Sequence, residues 1–437
     1  DFVLNMVMDE VAATGIKDLT INASSLFDTH APLLEHIKNG VVRKIQTDYM
    51  AAGVGHAISE GIMNEPVEFR THGGRPSDME LGRTPIDVAF IAAPTSDTMG
   101  NCTGKIGKSA CGSLGYAFPD AMNAKKTVVI TDNLVSYPLL SWSISENYID
   151  YVVCIDAIGD PNGIVSGTTR ITRDPVGLVM AERAAQVIKA SGLLRDGFSF
   201  QTGAGGATLA AAQFLKDIML RENIHGSFGL GGITGYMVDM LNAGCFDALL
   251  DVQCFDLKAV ESIRENPKHR EISASHYAGP SSASAAVDSL DVVLLGATEV
   301  DTDFNVNVHT DSNGYIMGGS GGHSDTAAGA KLSIIIAPLF RARLPIITDR
   351  VGCISTPGKD VDVLVTQGGI AVNPKNSELS DRLSQSGLNI VDIHELKRKA
   401  EKLTGVPKKH NHAEKVAAEV IYRDGTPLDR IYCVKEN

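Results

Sequence analysis

The sequence of 437 residues has few of the features that mark membrane, nucleic-acid-binding or disulfide-linked proteins. No apolar run approaches the ~20 residues that a membrane-spanning helix requires, so we expect no membrane association. The formal net charge of −13 excludes a general nucleic-acid-binding role, because phosphate contacts need clustered cations. The seven cysteines are scattered without a Cys-x-x-Cys pair, which predicts a reducing, cytoplasmic location and no metal site.

Aromatic residues make up only 5% of the chain, whereas there are 43 glycines and many short runs of Val and Ile. These runs lack strict alternation of polar and apolar residues, which is typical of strands covered by helices on both faces. We therefore predict an α/β fold with mostly parallel sheets. The predicted strands cover 86–94, 126–132, 151–156, 198–203, 290–300, 332–338, 343–349 and 361–367.

The length of the chain predicts two or more domains, and one helix marks the predicted boundary. Asp174 is a suitable N-cap, Pro175 fits the first helical position and Gly192 can end the helix. We place the two domains at residues 1–173 and 174–437.

The C-terminal region shows two segments with an amphipathic pattern, 390–405 and 413–425, which we predict to be helices, followed by a short strand. Between them lies "KKHNH" (408–412). We interpret it as a solvated loop rather than a metal site, because no cluster of carboxylates or cysteines accompanies it.

An internal repeat indicates that the chain consists of two related halves. "DVAFIAAPTSDTMGNC" begins at Asp87 and "DVVLLGATEVDTDFNV" begins at Asp291, with six identical residues in sixteen. In both, an apolar strand enters an Asp-Thr loop and a glycine-rich segment follows. Duplication explains this shared order better than chance does. Two such halves would enclose a cleft between their loops.

The segment "FSFQTGAGGATLAAAQFL" predicts a strand, a turn with Gly203, Gly205 and Gly206, and then a helix. The free N–H groups at such a helix start can bind an anion. The spacing matches neither a dinucleotide-binding fingerprint nor a Walker loop. A tight turn without any ligand is the alternative.

A second small-residue segment, "IHGSFGLGGITGYMVDMLNAG", carries Ser227 followed by Gly229, Gly231 and Gly232. Ser227 is a candidate catalytic residue, and the three glycines are candidate ligand-binding residues, because a bare backbone lets a ligand approach closely. Because the Gly-x-Ser-x-Gly elbow is absent, we favour a hydrogen-bonding or structural role for Ser227 over that of a nucleophile.

The third segment, "GGSGGHSDTAAGAK" (318–331), consists largely of residues with small side chains or none and lies just before a predicted buried strand. The N–H groups of Gly319, Gly321 and Gly322 could stabilise an oxyanion or bind a phosphate. His323 and Asp325 follow directly and are candidate catalytic residues, with a structural role as the alternative.

Two further loops carry cations. Arg70 and Arg75, with His72 between them, would suit a di- or tricarboxylate, and Lys105 and Lys108 could contact phosphates. In both cases a solvated surface loop remains an open alternative.

These segments together resemble the CoA-transferase superfamily, and more narrowly its citrate lyase α-subunit branch, over nearly the whole chain. "GGSGGHSD" and "VLVTQGGIAV" are similar to motifs of the superfamily as a whole. The branch is indicated by "IQTDYMAAGVGHAISEG", "PIDVAFIAAPTSDTMGNCTGKIGKSACG" and "FQTGAGGATLAAAQFL". The resemblance implies two similar α/β domains with the active site in the cleft between them. It also implies that an opening strand precedes Asp1, so that part of the first domain is missing here.

The resemblance further implies an acyl transfer from an acetyl-loaded acyl carrier to citrate. The carrier's phosphopantetheine or dephospho-CoA type arm, or CoA itself, would be a substrate, with no covalently bound cofactor and no metal. The implied partners are the β (citryl lyase) and γ (acyl carrier) subunits in an oligomer. Many CoA transferases carry an acyl-accepting Glu where Ser227 stands, so we expect a ternary complex and a mixed anhydride instead. A citramalate-specific enzyme, another CoA transferase or hydrolase, a sugar-phosphate isomerase and a non-catalytic scaffold remain alternatives.

Overall fold

Short strands and helices alternate along the chain, as the sequence pattern predicts. The computed structural model describes residues 2–164, 169–407 and 412–435. Its α-helices are α1 (Val3–Ala13), α2 (Leu33–Lys38), α3 (Ala52–Ser59), α4 (Gly74–Glu80), α5 (Ala117–Asn123), α6 (Pro175–Ala190), α7 (Gly206–Glu222), α8 (Gly235–Asn242), α9 (Leu257–Glu265), α10 (Ala274–Ala278), α11 (His323–Gly329), α12 (Ser377–Gln385) and α13 (Ile393–Thr404). Its strands are β1 (Leu19–Leu26), β2 (Val42–Met50), β3 (Val67–Phe69), β4 (Ile86–Ala93), β5 (Thr95–Asp97), β6 (Cys102–Thr103), β7 (Ala124–Thr131), β8 (Leu134–Val135), β9 (Tyr151–Cys154), β10 (Ser199–Thr202), β11 (Gly226–Ile233), β12 (Phe246–Cys254), β13 (His269–Glu271), β14 (Val292–Gly296), β15 (Glu299–Asp301), β16 (Val306–Asn307), β17 (Leu332–Ile336), β18 (Phe340–Arg341), β19 (Leu344–Pro345), β20 (Ile347–Thr348), β21 (Val363–Thr366), β22 (Gly369–Val372), β23 (His412–Ile421) and β24 (Pro427–Val434).

Eight strands of the second half form one sheet in the order β13-β12-β11-β10-β14-β17-β21-β22, parallel except for β22. Helices α6 to α9 cover one face, and α10, α11 and α13 cover the other. Every residue of β17 is buried, since both faces are covered. The predicted α/β fold with covered, mostly parallel sheets is confirmed. No helix among residues 2–164, 169–407 and 412–435 is both long and apolar enough to cross a membrane.

The first half contributes a five-stranded sheet, β1-β2-β3-β23-β24, and a three-stranded parallel sheet, β4-β7-β9. We call residues 2–164 together with 412–434 the first lobe, and residues 174–404 the second lobe. The C-terminal hairpin thus pairs with strands from the start of the chain. The division into domains at residues 173 and 174 stays a prediction.

The helix predicted over 390–405 is confirmed as α13, but the helix predicted over 413–425 is wrong, because this segment forms β23. Its Ala, Glu and Lys residues favour a helix in isolation, and pairing of Ala418 with Val67 in β3 overrides that preference. The "KKHNH" segment lies outside the described residues except for its last histidine, which begins β23.

The two halves of the internal repeat fold alike. In the first, β4 leads into β5, which pairs antiparallel with β6 and parallel with β8; in the second, β14 leads into β15, which pairs in the same way with β16 and β20. The repeated Asp has the same contacts in both. Asp97 accepts hydrogen bonds from the backbone and side chain of Asn101, and Asp301 accepts them from Asn305. The structure therefore supports duplication.

Candidate active site

The two lobes meet at a buried carboxylate near the end of β2. Asp48 is fully buried, and its Oδ2 lies 3.1 Å from His72 Nδ1 and 3.6 Å from Arg75 Nε. Its Oδ1 has no hydrogen-bond partner among the residues that the structure describes. Burial raises the pKa of Asp48, and the hydrogen bond from His72 opposes this effect.

Arg70 and Arg75, the two arginines predicted to suit a di- or tricarboxylate, both contact carboxylates of the first lobe. Arg75 is buried and donates two hydrogen bonds of 2.7 Å to the two oxygens of Asp120. Burial alone lowers the pKa of Arg75, but the adjacent Asp120 raises it overall. Arg70 donates to Glu68 at 2.9 Å and to Asp78. Substrate binding by these arginines stays a prediction, and in this geometry neither side chain is unpaired.

The glycine-rich loop that precedes α11 crosses from the second lobe onto β2 of the first. Gly321 N–H donates to the Asp48 carbonyl at 3.1 Å. A Cβ at Gly319 would lie 2.2 Å from that carbonyl oxygen, and one at Gly322 would lie 2.4 Å from Tyr277 Oη. The chain itself therefore requires the bare backbone at these two positions. Among the described residues, the N–H groups of Gly319 and Gly322 have no hydrogen-bond partner and could stabilise an anion.

His323 is buried at the start of α11, and both of its ring nitrogens are occupied. Nδ1 lies 2.7 Å from Thr356 Oγ1, and Nε2 lies 2.9 Å from the Gly296 carbonyl oxygen. Burial lowers its pKa to about 4, so the ring is neutral at physiological pH. These contacts position the glycine-rich loop, and the catalytic role predicted for His323 stays a prediction.

Asp325 links the two lobes. Its carboxylate accepts hydrogen bonds of 2.9 Å from Thr71 Oγ1 and from the Gly73 N–H of the first lobe. Burial raises its pKa to about 6, although Arg423 Nε, 3.5 Å away, acts in the opposite direction. In this geometry Asp325 holds the lobes together, and its predicted catalytic role stays untested.

Two tyrosine side chains, Tyr116 and Tyr277, lie near the residues around the buried Asp48 carboxylate. Tyr277 Oη accepts a hydrogen bond of 2.8 Å from Gln201, and the ring of Tyr116 lies 4.4 Å from that of His72, centroid to centroid. Gln201 Oε1 is buried without a partner among the described residues. Asp48 and Gln201 were not identified from the sequence. Both are polar residues near the ends of strands: Gln201 lies in the predicted strand 198–203, and Asp48 lies in β2. No local pattern marks Tyr116 or Tyr277.

The other two glycine-rich segments differ in what surrounds them. Gly205 is the N-cap of α7, and a Cβ at Gly203 or Gly205 would have no neighbour closer than 3.4 Å. Gly206 is covered, because its carbonyl accepts from Thr172 N–H. The loop at Gly203 and Gly205 therefore stays a candidate anion-binding site beside the seventeen-residue helix α7.

Ser227 and the glycines after it lie within β11. The Ser227 hydroxyl donates to the Gly197 carbonyl at 2.8 Å, at the amino end of the strand. A Cβ at Gly229, Gly231 or Gly232 would lie 2.0 to 2.8 Å from neighbouring side chains, so these glycines make room for the core. Their roles toward a substrate stay predictions. Among the described residues, the Ser227 hydroxyl contacts the carbonyls of Gly197 and Phe198 and makes no hydrogen bond to His323 or Asp325.

The loop with Lys105 and Lys108 contacts the second lobe through Lys105, whereas Ile106, Gly107 and Lys108 are exposed. Glu271 of the second lobe accepts from Leu114 N–H at 2.6 Å and from Ser143 Oγ at 2.7 Å, and it forms an ion pair with Lys105 at 2.9 Å. Lys108 donates to a backbone carbonyl. A cavity of about 640 Å³ lies beside this loop.

Comparison with solved structures defines the class of protein. 4-Hydroxybutyrate CoA-transferase from Porphyromonas gingivalis superimposes with a TM-score of 0.53 at 15% identity, covering 90% of this chain and 95% of that one. The covered, mostly parallel sheets are therefore those of the CoA-transferase-like fold.

The chain belongs to the citrate lyase alpha subunit family. The family description "Citrate lyase, alpha subunit (CitF)" matches residues 1–434. The citrate lyase alpha chain of Haemophilus influenzae is 49% identical over 436 residues, which is 100% of this chain and 87% of that protein. The alpha subunit of citrate lyase from Streptococcus mutans, solved in complex with citrate, superimposes with a TM-score of 0.98 at 48% identity, covering 100% of this chain and 86% of that one. The chain is accordingly a transferase.

Proposed function

We propose that this chain transfers a carrier thiol from acetyl to citrate, so that acetyl-carrier and citrate give citryl-carrier and acetate. The observation that carries the mechanism is Ser227, which stands where the CoA-transferase resemblance places an acyl-accepting Glu. Its hydroxyl donates to Gly197 at the amino end of β11. The Asp48 carboxylate is hydrogen-bonded to His72. The Asp325 carboxylate accepts hydrogen bonds from Thr71 and Gly73. We infer that acyl transfer proceeds in a ternary complex, without an acyl-enzyme.

The reaction then needs two attacks at carbonyl carbons. A citrate carboxylate oxygen attacks the carbonyl carbon of the acetyl thioester, the C–S bond breaks and the thiolate departs. The product of this attack is a mixed anhydride of acetate and citrate. The thiolate attacks the citryl carbonyl, and acetate leaves with the bridging oxygen. Each tetrahedral intermediate carries an oxyanion, for which the N–H groups of Gly319 and Gly322 are the proposed donors. Loss of one such donor costs on the order of 3 kcal/mol.

The assignment of citrate as the acceptor rests on the Streptococcus mutans relative, which was solved with citrate. We propose that the acetyl donor is the phosphopantetheine or dephospho-CoA type arm of an acyl carrier (γ) subunit, with CoA thioesters as surrogates. A citryl lyase (β) subunit would cleave the product within the same cytoplasmic, oligomeric complex. The loop at Gly203 and Gly205 is the candidate contact for an anionic group of either substrate.

The test uses the full chain with acetyl-CoA or acetyl-loaded carrier and labelled citrate. We expect label to enter the thioester pool, and citramalate, tricarballylate and acetate serve as competing acceptors that define the required carboxylates. Label exchange with citrate, together with an unmodified intact mass after incubation with the acetyl donor alone, supports the proposal. A stable covalent adduct of the protein with acetyl or with the carrier thiol, or the absence of exchange with every carboxylate, would reject it.

A further inference from the structure

Three side chains with metal-binding atoms converge in the second lobe, outside the candidate active site. Asp251 and Cys254 belong to β12, and His269 begins β13. Leu249 pairs with His269 in the parallel ladder, which places Asp251 and His269 on the same face of the sheet. The register between β11 and β12 shifts at Gly231, so that one extra residue of β12 brings Cys254 onto that face as well.

The three side chains are buried and share one oxygen. Asp251 Oδ2 lies 2.9 Å from both Cys254 Sγ and His269 Nε2, and all three ligand atoms lie within 4.8 Å of one another. The residues are at most 3% exposed. Asp251 Oδ1 is buried without a partner among the described residues. A carboxylate that uses both oxygens, a thiolate and an imidazole together supply four donor atoms.

The surroundings orient these donors and exclude water. Ser262 Oγ of α9 lies 2.9 Å from His269 Nδ1, which leaves Nε2 directed at Asp251. Such a contact from the outer nitrogen is usual for a metal-bound histidine. Gly112 of the first lobe closes the site, because a Cβ there would lie 2.2 Å from Cys254 Sγ. The Ser113 hydroxyl donates to the Asp251 carbonyl at 3.0 Å.

We propose that Asp251, Cys254 and His269 form a structural binding site for a divalent transition metal ion, with zinc as the ion that suits this donor set. The carboxylate and thiolate would neutralise the two positive charges, and binding would release the Cys254 thiol proton to solvent. The ion would fix β13 to β12 beneath the docked loop at Gly112 and Ser113. This site departs from our sequence-based expectation of no metal, because the spacing of these residues matches no known zinc pattern.

The first test is the metal content of the full chain, purified without chelator, followed by replacement with Co²⁺. We expect about one equivalent of metal per chain and a sulfur-to-cobalt charge-transfer band. Cys254→Ser should abolish that band, whereas Cys245→Ser, which alters another buried thiol of the same core, should retain it. Added Zn²⁺ should raise the melting temperature of the wild type and of Cys245→Ser, but not of Cys254→Ser.

Three results would overturn the proposal. They are a wild-type protein that binds neither Zn²⁺ nor Co²⁺ in equilibrium dialysis, a cobalt spectrum without sulfur coordination, or a band that survives in Cys254→Ser. X-ray absorption on the metal-loaded wild type provides a check that does not depend on any variant, since one sulfur ligand is expected. In the absence of metal binding, the cluster is a hydrogen-bonded network only.

Discussion

At the residue scale, the candidate site contains buried charges that are paired within the first lobe. The Arg75 guanidinium is 3% exposed and lies between Asp120 and Asp48. Such pairs add little net stability relative to apolar side chains, yet removing one partner is costly because the other charge stays buried. The geometry of the site is therefore sensitive to substitutions that leave its shape almost unchanged.

We expect Asp120→Ala to lower the free energy of unfolding by about 3 kcal/mol, since it removes both 2.7 Å hydrogen bonds to a carboxylate and leaves the buried Arg75 with Asp48, 3.6 Å away. Asp87→Ala is the matched control, because the Asp87–Lys125 pair is largely exposed and should contribute little. Urea denaturation of both variants measures the difference. Equal losses of unfolding free energy in the two variants would show that the buried Arg75–Asp120 pair contributes no more to stability than the exposed pair does.

Stability should depend on pH through Asp325 in a direction opposite to that of the buried histidines. Burial raises the pKa of Asp325 to about 6, so between pH 4 and pH 6 the folded state holds a proton that the unfolded state releases. This contribution is present at low pH and is lost as pH rises through about 6. His309 and His323, with pKa values lowered to about 3 and about 4, act oppositely and destabilise the fold on acidification below pH 6.5.

Replacing Asp325 by Asn removes the opposing group, so the free energy of unfolding should fall more steeply as the pH is lowered from 6 to 4. The added slope should be about 1.4 kcal/mol per pH unit, which corresponds to one proton. Chemical denaturation across this range gives the slope. An unchanged slope would mean that the Asp325 carboxyl titrates alike in the folded and unfolded states.

Gly319→Ala should damage the transfer reaction, because its Cβ would lie 2.2 Å from the Asp48 carbonyl oxygen. The loop must move, at a cost of about 1–3 kcal/mol in stability, and the proposed N–H donors move with it. Gly163→Ala is the control, since no atom of the described residues lies within 4 Å of its added Cβ. A Gly319→Ala enzyme with wild-type kcat would remove this loop from the proposed site.

At the element scale, the sequence predicts those segments whose local signals agree with their tertiary environment. Helix α6 is capped by Asp174, which accepts from Gly177 N–H at 2.9 Å, and Gly192 follows its end with φ of +79°, as predicted. The strand β23 could not be recognised in the same way. Its residues favour a helix, and its partner β3 lies more than three hundred residues earlier in the chain.

Asp174→Ala should lower the free energy of unfolding by about 1 kcal/mol, because the N–H of Gly177 loses its acceptor. Asp174→Ser should retain most of the stability, since a serine hydroxyl can accept the same hydrogen bond. Thermal denaturation compares the two. Equal losses would show that the cap contributes nothing beyond the charge.

At the scale of the whole molecule, duplication explains the matching strand-and-turn units, and the candidate site contains contacts between the two lobes. The repeat can be recognised in the sequence because both copies contain the Asp that accepts hydrogen bonds in the turn after the strand. The candidate site could not be predicted from the sequence in the same way. Its contacts join residues from distant segments, such as Thr71 and Asp325 or Gln201 and Tyr277, and no local pattern encodes such distances.

The central claim is that citrate attacks the acetyl thioester directly, and a single turnover with citrate labelled by ¹⁸O in its carboxylates tests it. The bridging oxygen of the mixed anhydride comes from citrate and leaves with acetate. We therefore expect acetate from the first turnover, with enzyme in excess, to carry one ¹⁸O atom. Unlabelled acetate in that turnover would show that the oxygen came from an enzyme carboxylate or from water, and would contradict the ternary-complex mechanism.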